Sequence, residues 1–190
     1  MIENKTAQGS LLGERLIPMS KGGSSDIFQT PPEAFAYLRP YIDKSFVVWE
    51  SAAGKGMLAN AMRNSGYDVI DSDILAGQNY FTYEPDYYDI QITTPPYSLK
   101  NKWLERCYQI GKPFALLLSV SSLHSAFRCN LYRKYGLQLV VPPKRINFIT
   151  PSGRGSGSWF AVAWFCWRLN LEQDIVFPEP ELAFDLEGDN

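Results

Sequence analysis

The chain has 190 residues, 45% of them hydrophobic and 14% aromatic, and a formal net charge of −2, which suits one globular domain with a real core. No apolar run is long enough to cross a bilayer, and Met1–Lys5 lacks the basic and apolar regions of a signal peptide, so no membrane partner is expected and the cytoplasm is the default compartment. Three scattered cysteines and a single histidine give no zinc-ligand spacing, so no metal is expected.

Residues 1–25 end in Lys21-Gly22-Gly23-Ser24-Ser25 and read as a flexible N-terminal arm. In Phe28-Gln29-Thr30-Pro31-Pro32, Thr30 is placed to cap a helix and the prolines suit its first turn. Ala34, Phe35, Leu38, Tyr41 and Ile42 then recur at helical spacing, with Pro40 ending or bending the helix. Phe46–Glu50 reads as a buried strand and Ser51–Gly56 as a tight small-residue turn. A helix through Met57, Leu58, Ala61 and Met62 stops at Gly66, and Asp68–Asp73 is a second strand. Two strands joined by one helix make a βαβ unit, hence an α/β domain with a mostly parallel sheet.

A strand over Tyr88–Thr94 stops at Pro95-Pro96, because proline lacks the backbone donor a buried strand needs. Its tip therefore presents Thr94 and Tyr97 where open α/β sheets bind ligands. Leu99–Ile110 is helical, and Phe114–Val120 is apolar throughout, as a central strand requires. A basic helical stretch runs to Tyr135. Leu137–Val141 is a strand that Ile146–Ile149 is expected to continue, and Thr150–Ser158 is a glycine-rich loop. Ser158–Leu169 is a long last strand, expected to form an antiparallel hairpin with its predecessor at the sheet edge. The domain spans 26–170, and 171–190 is an acidic C-terminal tail.

Charge is unevenly spread. Residues 171–190 hold seven acids and no base, whereas 100–170 hold eleven bases and one acid, Glu105. That excess is a candidate nucleic-acid footprint, with a solvated surface as the plain alternative.

Glu50-x-Ala52-x-Gly54-x-Gly56 lies between a strand and a helix, where glycines let a ligand approach the backbone. It is not a phosphate loop, having no Lys-Ser/Thr at the required place. It also lacks the third glycine of a dinucleotide fingerprint, with Ala59 at that position. By itself it could be a packing turn. Asp73 follows about 20 residues on, where an acid can hold ribose hydroxyls. Asn79 then offers a carboxamide to an adenine edge, and Thr94-Pro95-Pro96-Tyr97 completes the set.

In this order, Gln29-Thr30-Pro31-Pro32, Glu50–Gly56, Asp73, Asn79 and Thr94–Tyr97 resemble the class I S-adenosylmethionine (SAM)-dependent amino-methyltransferases of the adenine-N6 and cytosine-N4 DNA type. Phage-type adenine methylases are the most similar in layout. The resemblance spans about residues 26–170. It implies a Rossmann-like, doubly wound, mostly parallel seven-stranded sheet with an antiparallel C-terminal hairpin. It implies SAM as cofactor, held by Gln29, Thr30, Pro31, Glu50, Ala52, Gly54, Gly56, Asp73, Asn79 and Thr94. Catalysis would fall to Thr94, Pro95, Pro96 and Tyr97, with an acceptor at position 94 and the Pro95 carbonyl holding the two N–H bonds of an exocyclic amine. Tyr97 would stack on a base turned out of its helix. The family usually carries Asn, Asp or Ser where this chain has Thr94.

Lys100, Lys144, Arg145 and Arg154 are the expected phosphate contacts. The partner implied is nucleic acid, DNA ahead of RNA. The oligomeric state is left open, a dimer or second subunit included. RNA or protein-glutamine methylation, and a non-catalytic nucleic-acid-binding module on the same fold, are the alternatives. His124 is read as a local polar residue, and Cys107 and Cys166 as packed thiols.

Overall fold

Side-chain alternation along the strands decides which helices cover which face of the sheet. In the computed structural model, which describes residues 28–149 and 160–180, seven strands lie in the order β2-β1-β3-β4-β6-β5-β7. They are β1 (Val47–Glu50), β2 (Asp68–Asp71), β3 (Ile90–Thr93), β4 (Phe114–Ser119), β5 (Gln138–Val140), β6 (Val162–Trp167) and β7 (Ile175–Val176). Residues 1–25, read from sequence as an N-terminal arm, the glycine-rich stretch with Arg154, and the last ten residues fall outside the described residues.

Strands β2, β1, β3 and β4 are mutually parallel, and β6 is antiparallel to both of its neighbours. Val48, Ile90, Ile92, Ala115 and Leu117 face one way, onto Phe35 and Leu38 of α1 (Pro32–Leu38) and Leu58 and Met62 of α2 (Met57–Asn64). Trp49, Phe114, Leu116 and Leu118 face the other way. There they meet Trp103, Leu104 and Cys107 of α3 (Lys100–Ile110) and Leu131 and Tyr132 of α4 (Ala126–Tyr135). Helices thus cover both faces, the doubly wound arrangement expected from sequence.

Three local expectations are corrected. The expected antiparallel pair forms, β5 with β6 from Gln138↔Cys166 to Val140↔Trp164, but it is not at the sheet edge: β7 lies outside β5, and β6 pairs on its other side with β4, from Phe114↔Trp167 to Ser119↔Val162. Val162–Cys166 is buried at every position, and a strand apolar on both faces belongs inside a sheet. Ile146–Ile149 does not continue β5, because Pro142-Pro143 interrupts the ladder. Instead Ile149 makes one antiparallel bridge to Gln29, with both N–H···O bonds at 2.9 Å. Finally, Ile175–Val176, read from sequence as part of the acidic C-terminal tail, pairs in parallel with Leu139–Val140 and forms the outer strand.

Trp164 ties the sheet to α1. It is fully buried, and its indole Nε1 donates to the Ala34 carbonyl at 2.8 Å across 130 residues. Trp164→Phe removes that donor and leaves a void beside the Ala34 carbonyl. We expect it to cost about 2 kcal/mol, read as a lower midpoint in urea unfolding with the slope unchanged.

Candidate active site

From β1 the chain moves outward to β2, then returns past β1 to begin β3 on the other side. Such a reversal opens a crevice beyond the C-terminal strand tips, the usual ligand position in open α/β sheets. The residues there are built around a buried acid. Glu50 ends β1 and is 1% exposed. Its Oε1 accepts from the Ala52 amide at 3.1 Å and from the Thr93 hydroxyl, which reaches across from the end of β3. Burial pushes the Glu50 carboxyl up to about 8. The hydrogen bonds from Thr93 and Ala52 pull against that shift, and the negative Asp73 and Asp71 add to it.

The loop after β1 is pinned to the tip of β2. Ser72 N donates to the Glu50 carbonyl at 2.9 Å, and Ala53 N donates to the Ser72 carbonyl at 3.1 Å. Asp73 then takes the Gly54 amide on Oδ2 and the Leu75 amide on Oδ1, each at 2.8 Å. Gly54 has φ +55° and sits under Gln29: an added Cβ would lie 2.7 Å from Gln29 Nε2. Gln29 Oε1 in turn accepts from the Lys55 amide at 3.0 Å. Gly56, at φ +80°, is the N-cap of α2, and Ala52 is half-buried beside the Glu50 carboxyl.

Strand β3 supplies the opposite wall. Thr94 is half-buried, Pro95 buried and Pro96 half-buried, and a 3₁₀ turn over Tyr97–Leu99 leads into α3. The Tyr97 ring packs against Phe160 at 5.6 Å and edge-on to Phe148 at 6.3 Å. Thr30 does not cap α1: Pro31 occupies the N-cap position, and no side chain bonds there. The Thr30 hydroxyl donates instead to Thr94 Oγ1 at 2.7 Å. Hydrogen bonds thus link Gln29 to the loop, Asp73 to Gly54, and Thr30 to Thr94. Asn79 Oδ1 accepts from the Phe81 amide of its own turn at 3.0 Å.

Six residues with polar groups engaged here were not singled out from sequence. Thr93 looks like an ordinary strand-former. Gln91 is 2% exposed within β3; its Nε2 donates to Ser51 Oγ at 2.7 Å, and its Oε1 accepts from the Tyr80 hydroxyl at 3.3 Å. Trp49 Nε1 donates to Ser72 Oγ at 2.9 Å. A glutamine inside an apolar strand was the available signal, since a buried amide demands partners.

The basic stretch divides into internal and external residues. Arg128 is 7% exposed, and its guanidinium donates to the Ser122 carbonyl (2.6 Å), Asn101 Oδ1 (2.7 Å) and the His124 carbonyl (2.6 Å). Arg106 pairs with Glu84, Lys112 donates to the Tyr88 carbonyl, and Arg168 donates to the Gly111 carbonyl. Lys100 donates to the Tyr97 carbonyl at 3.0 Å. Lys102, Arg133, Lys134, Lys144 and Arg145 are exposed. Among the described residues, no helix is long and apolar enough to cross a membrane, and no group of three potential metal ligands occurs.

No protein-family model matches the chain, and no curated protein matches it. Solved structures do. A chain described as a class I SAM-dependent methyltransferase from Listeria monocytogenes aligns with TM-score 0.54 at 12% identity, over 88% of this chain and 72% of that one. A modification subunit ascribed to a type I restriction enzyme of Vibrio vulnificus aligns with TM-score 0.45 at 11% identity, over 73% and 44%. A TehB-like SAM-dependent methyltransferase from Corynebacterium glutamicum gives 0.42 at 10%, over 72% and 86%. The first of these establishes the fold: the chain has the Rossmann-like architecture of class I SAM-dependent methyltransferases.

The raised Glu50 carboxyl has a signed consequence. Between its ordinary value of 4.5 and about 8 the folded chain holds a proton that the unfolded chain has lost, so Glu50 makes stability fall as pH rises through that window. Glu50→Gln removes the titration. The variant should exceed the parent by on the order of a few kcal/mol at pH 8. The gap should close toward pH 5, as measured by urea unfolding at each pH.

Proposed function

We propose that the chain transfers a methyl group from SAM to an exocyclic amine of a nucleic-acid base, adenine N6 in DNA foremost. The observation that carries this reading is the Thr94-Pro95-Pro96-Tyr97 tip of β3. It stands across the β1/β3 reversal from strand tips lined by Glu50, Asp71 and Asp73.

The residues fit the cofactor by charge. Glu50 is buried with acids as neighbours, and no basic side chain among the described residues bonds to Glu50 or Asp73. Of the three acids, Asp71 alone has a basic partner among the described residues, Arg63. A ligand carrying ammonium and sulfonium charge relieves such a cluster, and it would draw Glu50 toward its ionised form. Asp73, with two backbone amides already fixing its orientation, keeps lone pairs for ribose hydroxyls. When bound, SAM supplies an electrophilic methyl group.

This chain's own part is positioning. Thr94 Oγ1 and the Pro95 carbonyl accept the two N–H bonds of the target amine, which favours a pyramidal nitrogen with an available lone pair. Pro95 and Pro96 hold that carbonyl in one direction, so little reorganisation is needed as charge develops. Tyr97, steadied by Phe148 and Phe160, offers the base a stacking surface. Lys144, Arg145 and Arg154, with exposed Lys102, Arg133 and Lys134, would meet phosphates.

Incubation with radiolabelled SAM and DNA, RNA or protein extract, followed by nucleoside mass analysis, tests this. Label should appear as N6-methyladenine from DNA. Thr94→Val should lower turnover at least about tenfold, the cost of one hydrogen bond made in the transition state. Thr94→Asn should keep or raise turnover. Label in protein alone, or an inactive Asn variant that still binds SAM, would count against the reading.

A further inference from the structure

The Thr30–Thr94 contact joins residues 64 apart in sequence, at a position where the resemblance leads one to expect Asn, Asp or Ser. A threonine hydroxyl has one donor and two acceptor positions on a freely turning bond, whereas a carboxamide or carboxylate is a planar group with built-in acceptor directions. Alone, Thr94 is both short and unfixed. Thr30 is neither isolated nor loose. It is 5% exposed, and its neighbour Gln29 is held by two backbone bonds to Ile149 and by the Lys55 amide. Pro31 follows with a fixed φ and starts α1.

We propose that Thr30 is the positioning residue for Thr94, so that the two threonines together do the work of one planar acceptor. With Thr30 donating into one lone pair, the remaining lone pair and the O–H of Thr94 are turned away from Thr30. The next acceptor direction at the tip of β3 is thereby set before substrate arrives, a preorganisation that a lone hydroxyl lacks. Thr30 thus acts through Thr94 on the amine and need not touch the cofactor. This rests on the methyltransferase reading, in which Thr94 accepts an amine N–H.

Thr30→Val keeps the shape and removes the hydroxyl; Thr30→Ser keeps the hydroxyl. Thr30→Val should lower kcat about five- to tenfold, the span of one neutral hydrogen bond, with KM for SAM and for DNA within about twofold. Thr30→Ser should restore kcat. In a Thr94→Asn background, where the amide plane supplies the direction, Thr30→Val should cost less. A readout independent of activity is the double-mutant cycle of Thr30→Val with Thr94→Val in urea unfolding, which should be non-additive. Additive unfolding energies overturn the proposal whatever the activity. So does an active enzyme whose kcat ignores Thr30→Val, or a loss confined to SAM affinity. If the cycle is coupled but the wild type methylates no base, the methyltransferase reading itself has failed, and the proposal falls with it.

Discussion

The hydrogen bond from Thr93 to the buried Glu50 carboxyl spans the seam on which the whole crevice depends. At this seam the order of the strands reverses, and the backbone ladder between β1 and β3 is short, with register pairs only at Val48↔Ile90 and Trp49↔Gln91. Beyond Gln91 the strand tips are joined by side chains: Thr93 to Glu50, and Gln91 to Ser51. An acid in such a place is costly, and the fold tolerates it because the group is hydrogen-bonded and its pKa is raised toward the neutral form. Local stability is given up where a site is wanted, a common trade at functional positions.

Much of the fold could be read from residue patterns because those patterns were local. Pro95-Pro96 had to end β3, and Phe114–Leu118 had to be a central strand. The failures were non-local. Val162–Cys166 was placed at the sheet edge, whereas it is buried on both faces between β4 and β5, which no turn signal announces. The two-residue β7 is too short and too polar in its surroundings to carry a period. Thr30 had the chemistry of a cap, but Pro31 took that place and freed its hydroxyl for a partner 64 residues away.

The candidate site divides the same way. Glu50, Gly54, Asp73 and Thr94 could be marked by residue type and spacing, and the structure gathers them at one end of the sheet. Their bonding could not, since Thr93 and Ser72 are unremarkable in sequence. Net charge was the least transferable signal. Of the bases in 100–170, Lys100, Arg106, Lys112, Arg128 and Arg168 spend their donors on carbonyls or acids of the chain itself. Arg128 is the extreme case: it clamps the turn after β4 through Ser122 and His124, so a residue counted toward a nucleic-acid surface is a structural pin.

The two walls of the crevice differ in kind, and under the proposed function that difference follows from the reaction. On the β1/β2 side stand three acids, of which one is buried and, among the described residues, only Asp71 has a basic partner. On the β3 side stand a hydroxyl, two prolines and aromatic rings, with no titratable acid or base among them apart from the tyrosine. A cationic donor belongs on the first wall and a neutral, planar, conjugated amine on the second. Such an amine is a poor nucleophile because its lone pair is delocalised into the ring, and it needs direction more than deprotonation. A wall of fixed acceptors without a strong base matches that need. Because the Thr94 hydroxyl turns freely about its bond, the burden of direction passes to whatever holds it, and among the described residues the one side chain bonded to it is Thr30.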